Sequence, residues 1–424
     1  MHYKFLLGIL IFVVTFYFIV RDKYPKPLVA MLGGGMMVIL RIIDEHEALH
    51  AIGLNLEILF LLMGLMMIVE IMAESGMFQW MAIKVAQISR GEPIKILVSL
   101  SLVTAVGSAF LDNVTTILLI VPVAILLARQ LELDPFPFIM MQIFAANIGG
   151  TATLIGDPPN LVVGAASKLG FNDFIINLAP LAIINMVVLL ISAVLFYRKD
   201  MHVSNELRAS VMELDASKAI KNAKLLKASG FVFGIVLVGF LTNAITHLGL
   251  AIISITGSAI LILVTEQHPE HIFKKIEWET IFFFGGLFVL VDGVEKLGIM
   301  QELAKIILNV TSGDKELTSQ FILLLSAGLT PMLGAVPFAL SFVKVIQQLI
   351  PNFTGDVNSF WWALSFGACL GGNMTLLGSA CNIVGASIAK KSGIDISFNR
   401  FLKYGVVVVA QSIILSSIYI YFKY

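Results

Sequence analysis

The stretch Asn147-Ile-Gly-Gly-Thr-Ala-Thr-Leu-Ile-Gly-Asp157-Pro158-Pro159-Asn160 decides the fold. It interrupts an apolar segment that runs from about 136 to 168. The Gly149-Gly150 pair loosens a helix, and Pro158 and Pro159 cannot donate hydrogen bonds into one. Pro158 also pushes Asp157 out of the helical region. Backbone groups opened this way at membrane depth are tolerated only where protein or a watery cavity satisfies them.

A shift of 222 positions carries Gly149-Gly150 onto Gly371-Gly372, Thr153 onto Thr375, Gly156 onto Gly378 and Asn160 onto Asn382. The same shift carries Glu57 onto Glu279, Phe60 onto Phe282, Gly64 onto Gly286, Glu70 onto Asp292 and Gly76 onto Gly298. Chance does not hold one register over so long a stretch, so the chain reads as an internal repeat. The second copy of the motif, Gly371-Gly-Asn-Met-Thr-Leu-Leu-Gly-Ser-Ala-Cys-Asn382, breaks at the matching place.

Hydrophobic residues make up 58% of the 424 positions and charged residues 13%, where a soluble domain carries roughly a quarter charged residues. Apolar runs long enough to span a bilayer recur along the chain, at 5–20, 28–43, 58–73, 178–197, 231–245, 251–264 and 405–422. This predicts an all-α polytopic membrane protein with no sizeable soluble domain. The first run has no small-residue cleavage site before Arg21-Asp22-Lys23, and is expected to be a retained helix and not a removed signal peptide.

Each half is expected to hold three spans, a hairpin, an interrupted span and a final span. In the first half these fall near 5–20, 25–43, 57–75, 94–129, 136–168 and 178–197. In the second they fall near 229–246, 250–266, 279–296, 317–350, 359–391 and 399–422. Short amphipathic stretches at 78–90 and 300–311 read as interfacial helices. A hairpin returns to the side it entered, so each half crosses five times, an odd number, and the halves must be inverted. The predicted organisation is a first inverted repeat at 1–197, a polar linker at 198–228 and a second repeat at 229–424. Matching breaks in inverted halves point to a site at the bilayer midplane.

Lysine and arginine set the orientation. The face reached after the first crossing gathers 20 of the 28, including Arg21, Lys26, Arg90, Arg129, seven in the linker, Lys274, Lys275, Lys390, Lys391 and Arg400. The positive-inside rule makes that face cytoplasmic and puts both termini outside, in the inner (plasma) membrane. The lipid bilayer is the expected partner, and nucleic acid is not.

The polar residues at the breaks carry the chemistry. Asp157 before two prolines reads as a helix cap, alone or combined with a role as ion or proton ligand, and its repeat partner Ser379 is also a favoured cap. The first hairpin turns at Asp112-Asn113-Val-Thr115, opposite Gly334-Ala335 in the second. A carboxylate at the bilayer centre costs on the order of 2.5–3.5 kcal/mol, so Asp112 is a functional candidate. Asp112, Asn113, Thr115, Asn147, Thr151 and Asp157 would hold Na⁺ or H⁺, with Asp112 and Asp157 as ligands. Asn373, Thr375, Ser379 and Asn382 would offer amides, hydroxyls and positive helix ends to an oxygen-rich solute, or complete one shared ion site.

Other polar residues are less specific. Glu70 and Asp292 lie near helix ends and read as interfacial. Lys344 would counter an anion or a carboxylate, or snorkel. The only cysteines, Cys369 and Cys381, fit neither a disulfide framework nor a zinc pattern, and Cys381 reads as packing, with a soft ligand for a metalloid as the alternative. His46-Glu47-Ala48-Leu49-His50 matches H-E-x-x-H, but no third ligand stands near it in sequence. G-x-S-x-G is absent. No enzymatic activity and no cofactor are expected.

At Ser108–Pro122, Asn147–Asn160 and Trp361–Val384 the sequence resembles the ion transporter superfamily, in its ArsB/NhaD branch, with the melanosomal P-protein type and its bacterial relatives as nearest kin. The resemblance, with the repeat, covers nearly the whole chain. It implies a citrate-transporter-like domain, a homodimer, a mobile transport domain moving as an elevator, and Na⁺ or H⁺ coupling. By matching positions it makes Asp112, Asn113, Asn147, Thr151, Asp157, Asn160, Asn373, Thr375 and Asn382 the site. Substrate does not carry over. The expectation is a coupled exchanger of a small inorganic ion or metalloid oxyacid, such as Na⁺/H⁺ antiport or efflux of arsenite or silicic acid. The alternatives are a Na⁺-coupled citrate or dicarboxylate carrier and an anion channel.

Overall fold

Apolar sequence and the need to close every backbone hydrogen bond in lipid leave helices as the building element. The computed structural model describes every residue except Met1, Asp22 and Asp200, and for His2 the backbone only. Asp22, at the end of the first predicted span, therefore lies outside the described residues. All its regular elements are helical, and eight helices among the described residues are long and apolar enough to cross a membrane.

The first half begins with α1 (His2–Arg21), α2 (Lys26–Ile39), α3 (Glu45–Leu54), α4 (Leu56–Glu74) and α5 (Met77–Ile88). It continues with the hairpin α6 (Pro93–Phe110) and α7 (Asn113–Gln130), the pieces α8 (Pro135–Gly150) and α9 (Pro158–Ser167), and α10 (Phe171–Tyr197). A short α11 (Asn205–Met212) lies in the linker.

The second half opens with α12 (Ala223–Leu241), α13 (Asn243–Thr246), α14 (Leu250–Thr265), α15 (Pro269–Phe273), α16 (Trp278–Lys296) and α17 (Ile299–Thr311). The hairpin α18 (Lys315–Leu333) and α19 (Ala335–Leu349) follows, then α20 (Asn358–Gly371), α21 (Ala380–Lys391) and α22 (Phe398–Lys423). Shifting α4 and α9 by 222 positions reproduces the bounds of α16 and the start of α21.

Two differences from the sequence reading have local causes. α12 starts at Ala223, six residues before the expected boundary at 229, because Asn222 caps it by accepting from the Lys224 and Leu225 amides. The linker is not a loose strand either. Gln87 of α5 donates to the Met212 and Leu214 carbonyls, and Gly76 and Gly91 sit against the Ala219 and Arg208 backbone.

The helices pack as two groups. α1, α2 and α16 pack together, α4, α12 and α14 do likewise, and α3 touches both sets; α6 to α10 with α18 to α22 form the other group. Close helix approach in lipid needs small residues. A Cβ on Gly64 of α4 would lie 2.6 Å from the Ser254 backbone of α14. A Cβ on Gly286 of α16 would lie 2.5 Å from the Ala30 backbone of α2, the equivalent crossing one repeat away. Between the groups, α16 touches α19, α4 touches α9 and α1 touches α18.

Candidate transport site

The site is built where the halves interlock. The first hairpin's α7 packs on α21, and the second hairpin's α19 packs on α9. Each hairpin therefore meets the broken helix of the other half.

The chain between α8 and α9, and its counterpart between α20 and α21, has backbone groups with no helical partner. Amide side chains fill that need. Asn160 Nδ2 donates to Thr151 O at 3.2 Å and Thr153 O at 2.8 Å. Asn382 Nδ2 donates to Gly372 O and Thr375 O, both at 2.8 Å. Thr375 Oγ1 donates to Pro331 O at 2.6 Å, and Thr153 Oγ1 makes the same bond to Ala109 O one repeat earlier. Thr151 Oγ1 donates to Asn147 O at 2.8 Å, holding the end of α8. Asn160, Thr151, Thr375 and Asn382 thus hold the breaks in shape.

Asn147 joins the two halves. Its Nδ2 donates to Asn373 Oδ1 at 2.8 Å and Asn382 Oδ1 at 2.9 Å. Its Oδ1 accepts from Asn113 Nδ2 at 3.2 Å, Ser379 Oγ at 3.0 Å and Cys381 Sγ at 3.1 Å. The two banks read separately from the sequence are therefore one cluster in space. Within it, the buried Asn373 Nδ2 has no hydrogen-bond partner, leaving a donor at the cluster.

Of the two carboxylates, Asp157 departs from its reading as a cap. Asp112 is a working cap: it accepts from Val114 N at 2.7 Å and Thr115 N at 3.2 Å, and also from Thr115 Oγ1. Asp157 stands at the head of α9 but makes no side-chain cap. A cap accepts from the second or third helical N–H. Here the second is Pro159, with no N–H, and the third, Asn160 N, donates to the Asp157 carbonyl at 2.9 Å. The second proline thus removes one of the two donors a cap can use, and the Asp157 carbonyl takes the other. The buried carboxylate lies instead against the Cys369 thiol and the Asn113 amide. Ser379 does not cap α21 either, because its hydroxyl is turned to Asn147.

A cavity of about 650 Å³ opens onto this site. Asp112, Asn113, Asp157 and Ser379 line it together with the Gly334-Ala335 hairpin tip, and so do Lys26, Lys275 and Glu277. Asn147, Thr151, Asn160, Asn373, Thr375 and Asn382 stand behind that wall, all buried.

Sequence reasoning passed over Cys369, whose thiol donates to Asn160 Oδ1 at 3.4 Å. The signal was in the repeat register, which aligns Cys369 with Asn147. Cys381, read as packing, also touches the cluster. Of the alternatives for Lys344, it counters a carboxylate: its ammonium lies 2.7 Å from Glu295 of α16. Glu70 pairs with Lys275 at 3.0 Å, and Asp292 is half-buried. In the H-E-x-x-H stretch, Glu47 forms a capping box with Asp44 and an ion pair with Lys296, which hold its carboxyl below the usual carboxylate range. Among the described residues no three His, Cys, Asp or Glu side chains group as a metal site.

The citrate transporter profile matches residues 16–367. The chain belongs to the citrate transporter family. It is 36% identical to a 46 kDa membrane protein of Mycobacterium leprae over 99% of this chain and 98% of that protein. An uncharacterized transporter of Mycobacterium tuberculosis is also 36% identical, over 98% of both chains. The P protein of Sus scrofa is 28% identical across 95% of this chain and 57% of its own length. The crystal structure of the Alcanivorax borkumensis YdaH transporter shares the fold, with a TM-score of 0.61 over 98% of this chain and 97% of that one, at 13% identity. This citrate transporter family member is a secondary transporter and a multi-pass membrane protein.

Proposed function

We propose that this transporter couples Na⁺ or H⁺ movement to that of a small inorganic ion or metalloid oxyacid, by an elevator motion. One observation carries the reading: Asp112 and Asp157 line one cavity, Asp157 buried, and the cationic residues lining it, Lys26 and Lys275, are half-buried and exposed. Two carboxylates in a poorly hydrated cavity repel each other, and a bound proton or sodium ion relieves the repulsion. The neighbouring amides, hydroxyls and buried Asn373 Nδ2 suit an oxygen-rich solute.

The elevator reading is supported by the two helix groups, with α1, α2, α4, α12, α14 and α16 as scaffold and the hairpins and broken helices as the moving part. The inverted repeat at 1–197 and 229–424 is supported by the paired helix bounds and the paired Gly64 and Gly286 crossings. Orientation in the inner membrane, with termini outside, rests on the lysine and arginine bias. Ser204→Cys and Ser217→Cys, in the linker, should react with an impermeant thiol reagent from the cytoplasm alone. A homodimer is expected.

The test is a proteoliposome screen of arsenite, silicic acid and citrate under imposed pH and sodium gradients, with Na⁺/H⁺ exchange followed in parallel. Flux indifferent to both gradients would sink the coupled reading. A second reading, Na⁺-coupled citrate or dicarboxylate transport, is favoured by the N-termini of α7, α9, α19 and α21 around the site, whose positive ends suit a carboxylate. Citrate uptake without arsenite or silicic acid movement would select it.

A further inference from the structure

We propose that Glu277 is the carboxylate through which the coupling cation passes between the Asp112–Asp157 pair and the cytoplasmic mouth. The inference rests on the cation-coupled reading above. Glu277 immediately precedes α16, on the scaffold group, whereas Asp112 and Asp157 belong to the other group. All three line the same cavity. Glu277 lies close enough to Asp112 for the two charges to act on each other. Its Oε2 accepts from Thr280 Oγ1 at 3.1 Å, which fixes the half-buried carboxylate at the head of α16. The other charged groups around it are Glu279, Lys26 and Lys275, the last paired with Glu70.

The repeat makes this acid specific to one mouth. Glu279 has an acidic counterpart 222 positions earlier, Glu57 at the head of α4. Glu277 has not: its counterpart is Asn55, whose amide folds back onto Ala51 O at 2.9 Å. If the inverted halves exchange roles during translocation, the opposite mouth presents Glu57 and an amide. A cation leaving or reaching the deep pair from the α16 side therefore meets a fixed charge that the other side lacks. A desolvating cation gains from such a charge in a half-buried position, where water screens it incompletely.

The test uses right-side-out and inside-out membrane vesicles with an entrapped pH dye and ²²Na⁺ uptake. Na⁺ pulses and pH steps are applied to either face. Glu277→Gln should raise the KM for the coupling cation several-fold at the α16 face and leave the opposite face unchanged. Glu277→Asp should restore it. A merely structural role would lower the number of active molecules equally from both faces. Equal change on both faces, or no change, in vesicles whose wild-type flux is cation-driven overturns this inference alone. Wild-type flux driven by neither cation overturns the coupling reading and this inference with it.

Discussion

Asn147 Nδ2 donates to Asn382 Oδ1 at 2.9 Å, tying the broken helix of the first half to that of the second. The same amide holds Asn113, Asn373, Ser379 and Cys381. Asn147→Ala strands these buried partners, at about 1–3 kcal/mol for each polar group left unsatisfied. We expect a melting temperature in detergent well below wild type and no transport in proteoliposomes. A variant with wild-type stability would show that the cluster reorganises around a water, and the amide network would lose its structural role.

Asp157 and Asp112 should separate by stability and by ion dependence. Asp112→Ala removes a cap and should cost about 0.5–2 kcal/mol. Asp157→Ala removes no cap bond, and Asp157→Asn should leave the melting temperature near wild type. Asp157→Asn is nonetheless expected to abolish the dependence of flux on pH between about 5.5 and 8.5, a window that covers a carboxyl in a poorly hydrated site. An unaltered pH profile would remove Asp157 from the coupling machinery.

Lys344 and Glu295 form an ion pair between α19 and α16, and neither lines the cavity. Both side chains are half-buried, and such a pair is worth on the order of 1 kcal/mol, enough to shift a two-state population about fivefold. Neutralising either partner should therefore populate the alternative arrangement. Val336→Cys, lining the cavity, should react more slowly with an impermeant thiol reagent from the cavity side once Lys344→Gln is added. The double swap Lys344→Glu with Glu295→Lys should restore the rate. Identical rates throughout would assign the pair to a contact that does not move.

Gly156 is a close-packed point of the first break. A Cβ there would lie 2.6 Å from Gly150 O and 2.7 Å from Ser108 O, both backbone atoms that cannot swing aside. Gly156→Ala should prevent accumulation of folded protein, or lower its melting temperature sharply. Gly35→Ala meets nothing within 4 Å and should be neutral on the same assay.

The sequence by itself determined the helical class, the places of the breaks and the register of the repeat. Each follows from a local rule: a bilayer sets span length and demands closed backbone hydrogen bonding, and glycine and proline mark where that closure fails. Gly149-Gly150 and Pro158-Pro159 could be read this way because their effect is confined to their own backbone. Tertiary structure decided what the side chains at those breaks touch. Whether Asp157 caps its helix depended on the route of the Asn160 amide, and the partner of Lys344 lay on a helix of the other group. Cys369 reached the site only because α20 passes beside α9. Hydrophobic periodicity places a helix in the membrane but does not set its rotation against its neighbours; small-residue crossings such as Gly64 on Ser254 set that, and with it the cluster around Asn147.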